Sequence, residues 1–172
     1  ANSLNDPKVA VFNKDAYIWA KNCQEKFDVV IIDFPDPSNY SLGKLYSLNF
    51  YATIQKLLNQ DAVVVIQTTS PYFAPKSFWC INKTVMQVFP QIDAYHAYVP
   101  SFGEWGFTIA INGFGTTFNT VNRKVDALRF YNYQFDKFNY FSQDMISKDI
   151  EINRLDNQIL VRYFDEEWGK LQ

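Results

Sequence analysis

Hydrophobic residues in this chain recur at two spacings, and their order along the sequence predicts strands that alternate with helices. The segments "KVAVF", "FDVVIID" and "AVVVIQ" have strand length, and the last two are continuously apolar, as in parallel strands that are covered on both faces. Helical spacing follows Asp15, Ser47 and Pro75, which are all residue types that suit the start of a helix. Two further strands, "QIDAYHAYV" and "WGFTIAING", can pair antiparallel. The pattern therefore predicts an α/β fold with a mostly parallel sheet flanked by helices.

Polar residues stand where the predicted strands end. Asp33 and Asp36 follow one apolar strand, Gln67 ends the next, and the turn "PSFGE" joins the last two. Ligands of such sheets bind outside the carboxyl ends of the strands, so we expect these residues to share one rim. A pair of carboxylates there can hold an ammonium group or act as a general base. An aspartate next to a proline is also ordinary turn chemistry, so a structural role stays open at this point.

Composition narrows the classes of function. The chain has 172 residues, which suits one domain with a sizeable core. A net charge of -2, without a basic cluster, gives no electrostatic footprint for nucleic acid. Two cysteines and one histidine form no metal-binding spacing, so no metal is expected. The sequence shows no glycine-rich phosphate loop, no signal peptide and no apolar run of about 20 residues.

The sequence changes character after Gly115. Residues 1–115 carry the strand and helix pattern, whereas residues 116–172 mix helical turns with many aromatic side chains and show no clear strand. This second segment is too apolar for a disordered tail. We therefore expect an α/β part over residues 1–115 and a helical or irregular C-terminal extension over residues 116–172 that packs on it.

Five segments carry a resemblance to a known family. In chain order they are "NKDAYIW", "FDVVIIDFPDP", "LYSLNFY", "VVVIQTTSPYF" and "VPSFGEWGF". Together they resemble the second half of the spermidine synthase (polyamine aminopropyltransferase) family. The segments "RKVDALRF" and "EINRLDNQ" further resemble the branch whose catalytic part follows a multi-span membrane region. The resemblance implies a Rossmann-like fold, similar to that of S-adenosylmethionine-dependent methyltransferases and lacking its first strands, with residues 1–115 as its C-terminal part.

The resemblance also implies roles for individual residues. Asp33 would be the catalytic residue that positions and deprotonates the attacking amine, and Asp36 would help to bind the amine or aminopropyl group. Asp15 would accept a hydrogen bond from the adenine amino group of decarboxylated S-adenosylmethionine, with the backbone of Ala16 beside it. The reaction would transfer an aminopropyl group from a sulfonium to the amine and release methylthioadenosine.

Further residues would belong to the amine channel. Gln67 occupies a position where the family has an acid or an amide, Tyr46 belongs to the motif that follows the two acids, and Glu104 would add negative charge. Phe34 and Pro35 replace two small polar residues of the family pattern, which predicts a narrower channel mouth. The residues expected to form apolar walls are Phe34, Phe73, Phe102 and Trp105.

The same resemblance sets expectations about partners. Decarboxylated S-adenosylmethionine would be a co-substrate of the parent enzyme, and no cofactor would be tightly bound. The partner would be a small amine such as putrescine; no nucleic acid is expected, and a homodimer is compatible with the sequence. This chain would make no membrane contact, and membrane spans are compatible with its parent. Its location would be cytoplasmic, at the inner face of the membrane in the parent.

Two alternatives to an active aminopropyltransferase stay open. The family's glycine-rich loop and ribose-binding acid have no counterpart in these residues, so we expect the isolated chain to be an inactive C-terminal fragment. A methyltransferase remnant would share the strand that ends in an aspartate. A non-enzymatic, degenerate Rossmann-like module would retain the acids as relics.

Overall fold

A four-stranded mixed sheet organises the protein in the computed structural model, which describes residues 3–115, 141–142, 145–146 and 149–169. The strands are β1 (Phe27–Ile32), β2 (Leu58–Gln67), β3 (Gln91–Val99) and β4 (Gly103–Ile111). Their spatial order is β1–β2–β4–β3, with β1 and β2 parallel and the other two pairings antiparallel. Because β3 therefore runs in the same direction as β1 and β2, these three strands end at one rim of the sheet.

The helices begin where the sequence places residues that favour a helix start. The described α-helices are α1 (Ala16–Asn22), α2 (Tyr40–Gly43), α3 (Leu48–Gln55), α4 (Pro75–Met86) and α5 (Ile159–Trp168). Asp15 caps α1 and Ser47 caps α3, each by accepting a hydrogen bond from a backbone amide of the first turn. Pro75 occupies the first turn of α4. None of the helices in the described ranges is long and apolar enough to cross a membrane.

The two faces of the sheet differ in their exposure. Ile32, Val64 and Ile66 point to one face, are at most 3% exposed, and belong to the main hydrophobic core with residues of α3 and α4. Val29 and Ile31 of β1 point to the opposite face and are 60% and 73% exposed. Since successive strand residues alternate between faces, the register of β1 on β2 decides which apolar side chains are covered.

The predicted α/β, Rossmann-like class is confirmed, and one finer expectation is corrected. The described sheet is mixed: three of its four strands run in the same direction, and β3 and β4 form the antiparallel hairpin that the sequence predicted. The segment "KVAVF" is not a strand: it is irregular, with Val11 64% and Phe12 58% exposed. No strand of the described residues pairs with it, so the backbone ladder that would make it a strand is missing.

Asn153 ties the described part of the C-terminal segment to the rest of the protein. Its side chain donates a hydrogen bond to the Gly43 carbonyl at 3.0 Å and accepts one from the Leu160 amide at 3.3 Å, while its own amide donates to the Thr84 hydroxyl at 2.9 Å. The segment "EINRLDNQ" contains this residue. "RKVDALRF" lies outside the described residues, so the division at residue 115 stays a prediction.

Candidate functional site

A cavity of about 580 Å³ opens at the rim where β1, β2 and β3 end. Asp33 directly follows β1, Asp36 lies three residues further along the loop, and Gln67 is the last residue of β2. The structure therefore brings these three residues together at one rim, as their positions at the strand ends predicted, while their chemical roles stay predictions. The apolar lining residues are Ile31, Ile32, Phe34, Pro35, Val65, Val99, Phe102, Trp105 and Phe107.

The Gln67 side chain holds the loop that carries the two acids. Its amide nitrogen donates to Asp36 Oδ1 at 3.1 Å and to the Phe34 carbonyl at 3.2 Å. Its amide oxygen accepts a hydrogen bond from the Thr69 backbone amide at 2.6 Å. Because the oxygen faces a backbone donor, the nitrogen is the group that faces the carboxylate. Gln67 thus fixes the distance between the end of β2 and Asp36.

Tyr46 supports the same loop from behind. Its side chain is fully buried, and its hydroxyl lies 3.1 Å from the carbonyl oxygens of Phe34 and Pro35, to which it donates a shared hydrogen bond. Burial raises the pKa of Tyr46, and the negative charges of Asp36 and Asp33 raise it further, so the hydroxyl stays a donor at neutral pH. The family resemblance implies a place for Tyr46 in the amine channel. In the structure Tyr46 is absent from the cavity lining and its hydroxyl holds the loop, so a direct role in amine binding stays a prediction.

Asp33 and Asp36 have different surroundings within one loop. Asp33 is exposed, and none of the hydrogen bonds that hold the loop uses its carboxylate. Asp36 is partly buried: desolvation raises its pKa, while the hydrogen bond from the Gln67 amide acts in the opposite direction. The arrangement offers one open carboxylate that can accept a proton and one enclosed carboxylate that can pair with a cation.

Aromatic side chains form much of the cavity wall. The rings of Phe102 and Trp105 lie 5.1 Å apart between centroids, and both line the cavity, as expected. Phe34 lines it as well, but its ring also packs 5.8 Å from Phe50 in a tilted arrangement. Phe34 is therefore drawn partly into the core, and the narrower cavity mouth stays a prediction.

Two residues that were expected at the site lie elsewhere. Glu104 points to the face of β4 opposite to Trp105, and its carboxylate lies 2.8 Å from His96 Nδ1. Phe73 is absent from the cavity lining and packs its ring 6.1 Å from that of Trp168. In both cases the residue sits near the rim in sequence, but strand alternation or loop direction turns its side chain away from the cavity.

Asp15 lies at a separate place, beside a second cavity of about 520 Å³. Its Oδ1 accepts from the Ile18 amide at 3.1 Å, and its Oδ2 pairs with the Lys44 ammonium at 3.0 Å. The hydrogen bond from Lys44, followed by that from Ile18, lowers the pKa of Asp15. Ala16 is the first residue of α1. The lining residues are Lys14, Asp15, Ile18, Trp19, Asn22 and Cys23. A nucleoside-binding role for Asp15 and Ala16 stays a prediction.

Sequence reasoning missed part of the cavity. Ile31, Val65 and Phe107 line it from the sheet, and the first two could have been found by counting back two residues from Asp33 and from Gln67 along each strand. Thr69 has a left-handed backbone with φ of 62°, for which the sequence offers no signal, since threonine rarely adopts it.

Within the described ranges, no group of three or more His, Cys, Asp or Glu side chains could hold a metal ion.

These features define a Rossmann-like α/β protein with an acidic site at the carboxyl rim of its sheet. The family model described as "Spermine/spermidine synthase domain" matches residues 1–124, and the chain belongs to this family. It is 46% identical to a polyamine aminopropyltransferase of Leptospira interrogans over 98% of this chain and 34% of that protein. It is 45% identical to polyamine aminopropyltransferase 2 of Ralstonia nicotianae, over 97% of this chain and 33% of that protein. The chain thus spans about a third of the length of these curated relatives.

Two solved structures share the fold. A spermidine synthase crystallised in complex with the transition-state analogue AdoDATO superposes with a TM-score of 0.59 at 20% identity, covering 98% of this chain and 53% of that chain. The spermidine synthase of Thermotoga maritima gives 0.56 at 19% identity, with 98% and 52% covered. At these identities the likeness confirms the fold alone.

Proposed function

We propose that the protein containing this chain transfers an aminopropyl group from decarboxylated S-adenosylmethionine to a small diamine such as putrescine. The observation that carries the proposal is the pairing of Asp33 and Asp36 at the polar end of an otherwise apolar cavity of about 580 Å³. A diamine is a short chain of methylenes with a cation at each end. Apolar walls with carboxylates at one end suit that shape and charge.

The reaction is a displacement at carbon. The lone pair of the amine nitrogen attacks the carbon next to the sulfonium, a C–N bond forms, and the C–S bond breaks with its electrons passing to sulfur. Methylthioadenosine leaves, and the nitrogen loses one proton. An amine with a pKa near ~10 is mostly protonated at neutral pH, so a group must remove a proton before attack.

The two acids divide this work according to their surroundings. Asp33 is exposed and not used by the hydrogen bonds that hold the loop, which supports its assignment as the group that accepts the proton. Asp36 already accepts a hydrogen bond from Gln67, which leaves a charged, fixed oxygen to hold an ammonium group in place. Orientation of the amine toward the reacting carbon supplies much of the acceleration.

The relatives support the proposal at the level of the whole protein. Proteins that carry the name polyamine aminopropyltransferase are 45% and 46% identical to this chain over almost all of its length. Since the chain spans only about a third of them, the activity is assigned to the whole protein, not to these residues alone. We also infer the membrane-linked branch from "RKVDALRF" and "EINRLDNQ", and that inference rests on sequence only.

The test compares two aspartates at opposite ends of β1, Asp28 near its start and Asp33 directly after it. The whole protein that contains this chain is incubated with decarboxylated S-adenosylmethionine and putrescine, and mass spectrometry measures spermidine and methylthioadenosine, which should form in equal amounts. Asp33→Asn keeps the shape but cannot accept the proton, so kcat should fall by ~10²–10⁴. Asp28→Asn is the control, because Asp28 lies at the other end of β1 and pairs with Asn59. No product from the unaltered protein, or equal rates in both variants, would exclude the proposal.

A further inference from the structure

The turn after β2 contains a backbone conformation that needs an explanation. Thr69 is fully buried and has a φ of 62°, in the left-handed region that β-branched residues rarely adopt. In this conformation its amide points back at Gln67 and donates to the Gln67 side-chain oxygen at 2.6 Å. Strained backbone of this kind persists only where the surroundings hold it.

Gly106 on β4 holds that turn in place. The Gly106 amide donates to the Thr69 carbonyl at 2.8 Å, and the Thr68 amide donates to the Gly106 carbonyl at 3.0 Å. A Cβ on residue 106 would meet the Phe78 ring and would lie 2.7 Å from the Thr69 carbonyl oxygen. Only a glycine therefore lets β4 approach the turn this closely.

Gly106 does not touch the cavity. Its neighbours Trp105 and Phe107 both line the cavity, and alternation along β4 puts Gly106 on the opposite face, next to Phe78. Any effect of Gly106 on the acids must therefore pass through the backbone of the turn. The contacts run from Gly106 to Thr69, from Thr69 to the Gln67 amide oxygen, and from the Gln67 amide nitrogen to Asp36.

We propose that Gly106 and Thr69 are positioning residues that orient the Gln67 amide, so that it donates to Asp36 and to the Phe34 carbonyl and sets the geometry of the cation-binding end of the cavity. The consequence for amine binding rests on the proposed function, whereas the orientation itself does not. If the turn shifts, Gln67 loses its backbone donor and its amide is free to rotate. The carboxylate of Asp36 then faces an oxygen or an empty space instead of a donor.

The first test reads Asp36 directly and needs no substrate. The protein is labelled with ¹³C-carboxyl aspartate, the Asp36 signal is assigned from its loss in Asp36→Asn, and its pKa is followed by NMR titration. The neighbouring titratable groups are Asp33 on the same loop and Tyr46 behind it. Gln67→Leu removes a donor to the charged form and should raise the pKa of Asp36 further. Gly106→Ala should shift it in the same direction, although residue 106 lies outside the cavity.

Thr108→Ser is the matched control, since Thr108 lies two residues from Gly106 on the same face of β4 and serine keeps the hydroxyl that donates to Asn82. It should titrate like the unaltered protein. A folded Gly106→Ala protein with an unchanged Asp36 titration would overturn the proposal. If Gly106→Ala does not fold, Gln67→Leu and Thr108→Ser decide it: an unshifted Asp36 in the first, or an equal shift in both, would overturn it.

The second test reads amine recognition. Gln67→Leu and Gly106→Ala should raise the KM for putrescine by about tenfold or more, with a smaller change in kcat, because a charge-assisted contact is misplaced while Asp33 is not. Thr108→Ser should stay within about twofold of the unaltered protein. A fall in kcat as large as the rise in KM, with KM raised for both substrates, would indicate general damage and count against a positioning role. If the unaltered protein transfers no aminopropyl group, the proposed function fails, but the titration still tests the orientation of Gln67.

Discussion

Asp36 and Asp15 are two acids that the protein holds in opposite ways. Asp36 is partly buried, its pKa is raised by desolvation, and its hydrogen-bond donor is the neutral amide of Gln67. Asp15 is exposed, and its pKa is lowered first by the Lys44 ammonium at 3.0 Å. A carboxylate held by a neutral donor keeps its charge available for a cationic ligand. A carboxylate that is already paired with a cation has less of its charge available for a further cation.

The supports of the two acids differ in the same way. The loop of Asp36 is fixed from behind by the fully buried Tyr46 and from the side by Gln67. Hydrogen bonds in such places are expensive to break, because the partner left behind is not resolvated. The Asp15–Lys44 pair lies at the surface, where water and salt weaken it. Disruption of the two regions should therefore have effects of different size.

The largest effect is expected from Tyr46→Phe. The change removes the hydroxyl that lies 3.1 Å from two carbonyl oxygens and adds nothing in its place. The free energy of unfolding should fall by about 1–3 kcal/mol, as measured by urea denaturation, and the fall should not depend on salt. Tyr40→Phe is the control, since Tyr40 is 70% exposed. A loss in Tyr46→Phe no greater than in the control would mean that the loop does not depend on the hydroxyl.

A smaller effect of opposite sign is expected from Asp36→Asn. Burial raises the folded-state pKa of Asp36 above its ordinary value of 3.8, so the folded protein holds this proton more tightly and its ionisation reduces stability as the pH rises through that window. Asparagine keeps the acceptor for Gln67 without the charge. At pH 7 the variant should be more stable by about 1 kcal/mol or less, and the difference should vanish below pH 3.8. Thermal unfolding at both pH values measures it. A destabilised variant at pH 7 would show that the charge is compensated within the folded protein.

Much of the rim could be predicted from the sequence because strand direction decides it. Asp33 directly follows β1 and Gln67 ends β2, and parallel strands present their carboxyl ends to the same side. The same reasoning does not place Glu104. This residue lies near the start of β4, which runs antiparallel to the other strands, and its side chain points to the face of the sheet that carries His96. Tyr46 and Thr69 act through backbone contacts across the fold, which residue types alone do not reveal.

The segment "KVAVF" shows that local composition alone does not predict a strand. Its composition favours a strand, yet a strand requires a partner with matching hydrogen bonds, and none of the described strands supplies one. Asn153 shows the converse. It is a polar residue in the C-terminal segment, where the sequence shows no clear strand, yet its buried side chain hydrogen-bonds Gly43 and Leu160. In both cases the deciding contacts are distant in the chain and lie beyond what local spacing encodes.

The smallest effect is expected from Lys44→Met, which removes the cation beside Asp15. Because that cation holds the folded-state pKa of Asp15 below its ordinary value of 3.8, its contribution to stability is present above that value and is lost as the pH falls through the lowered pKa. At pH 7 and low salt the midpoint of thermal unfolding should fall slightly, less than in Tyr46→Phe. The fall should disappear in 1 M salt, where the Debye length is about 3 Å.

Lys21→Met is the control, since Lys21 is an exposed lysine in the last turn of α1, at the other end of that helix from Asp15. It separates the loss of the pair with Asp15 from the loss of one positive charge. A fall in Lys44→Met that equals the one in Tyr46→Phe, or that persists at high salt, would show that the surface pair is as important to the fold as the buried hydroxyl. The two acids would then differ in the partners that bind their carboxylates, and not in how strongly the surrounding contacts stabilise the fold.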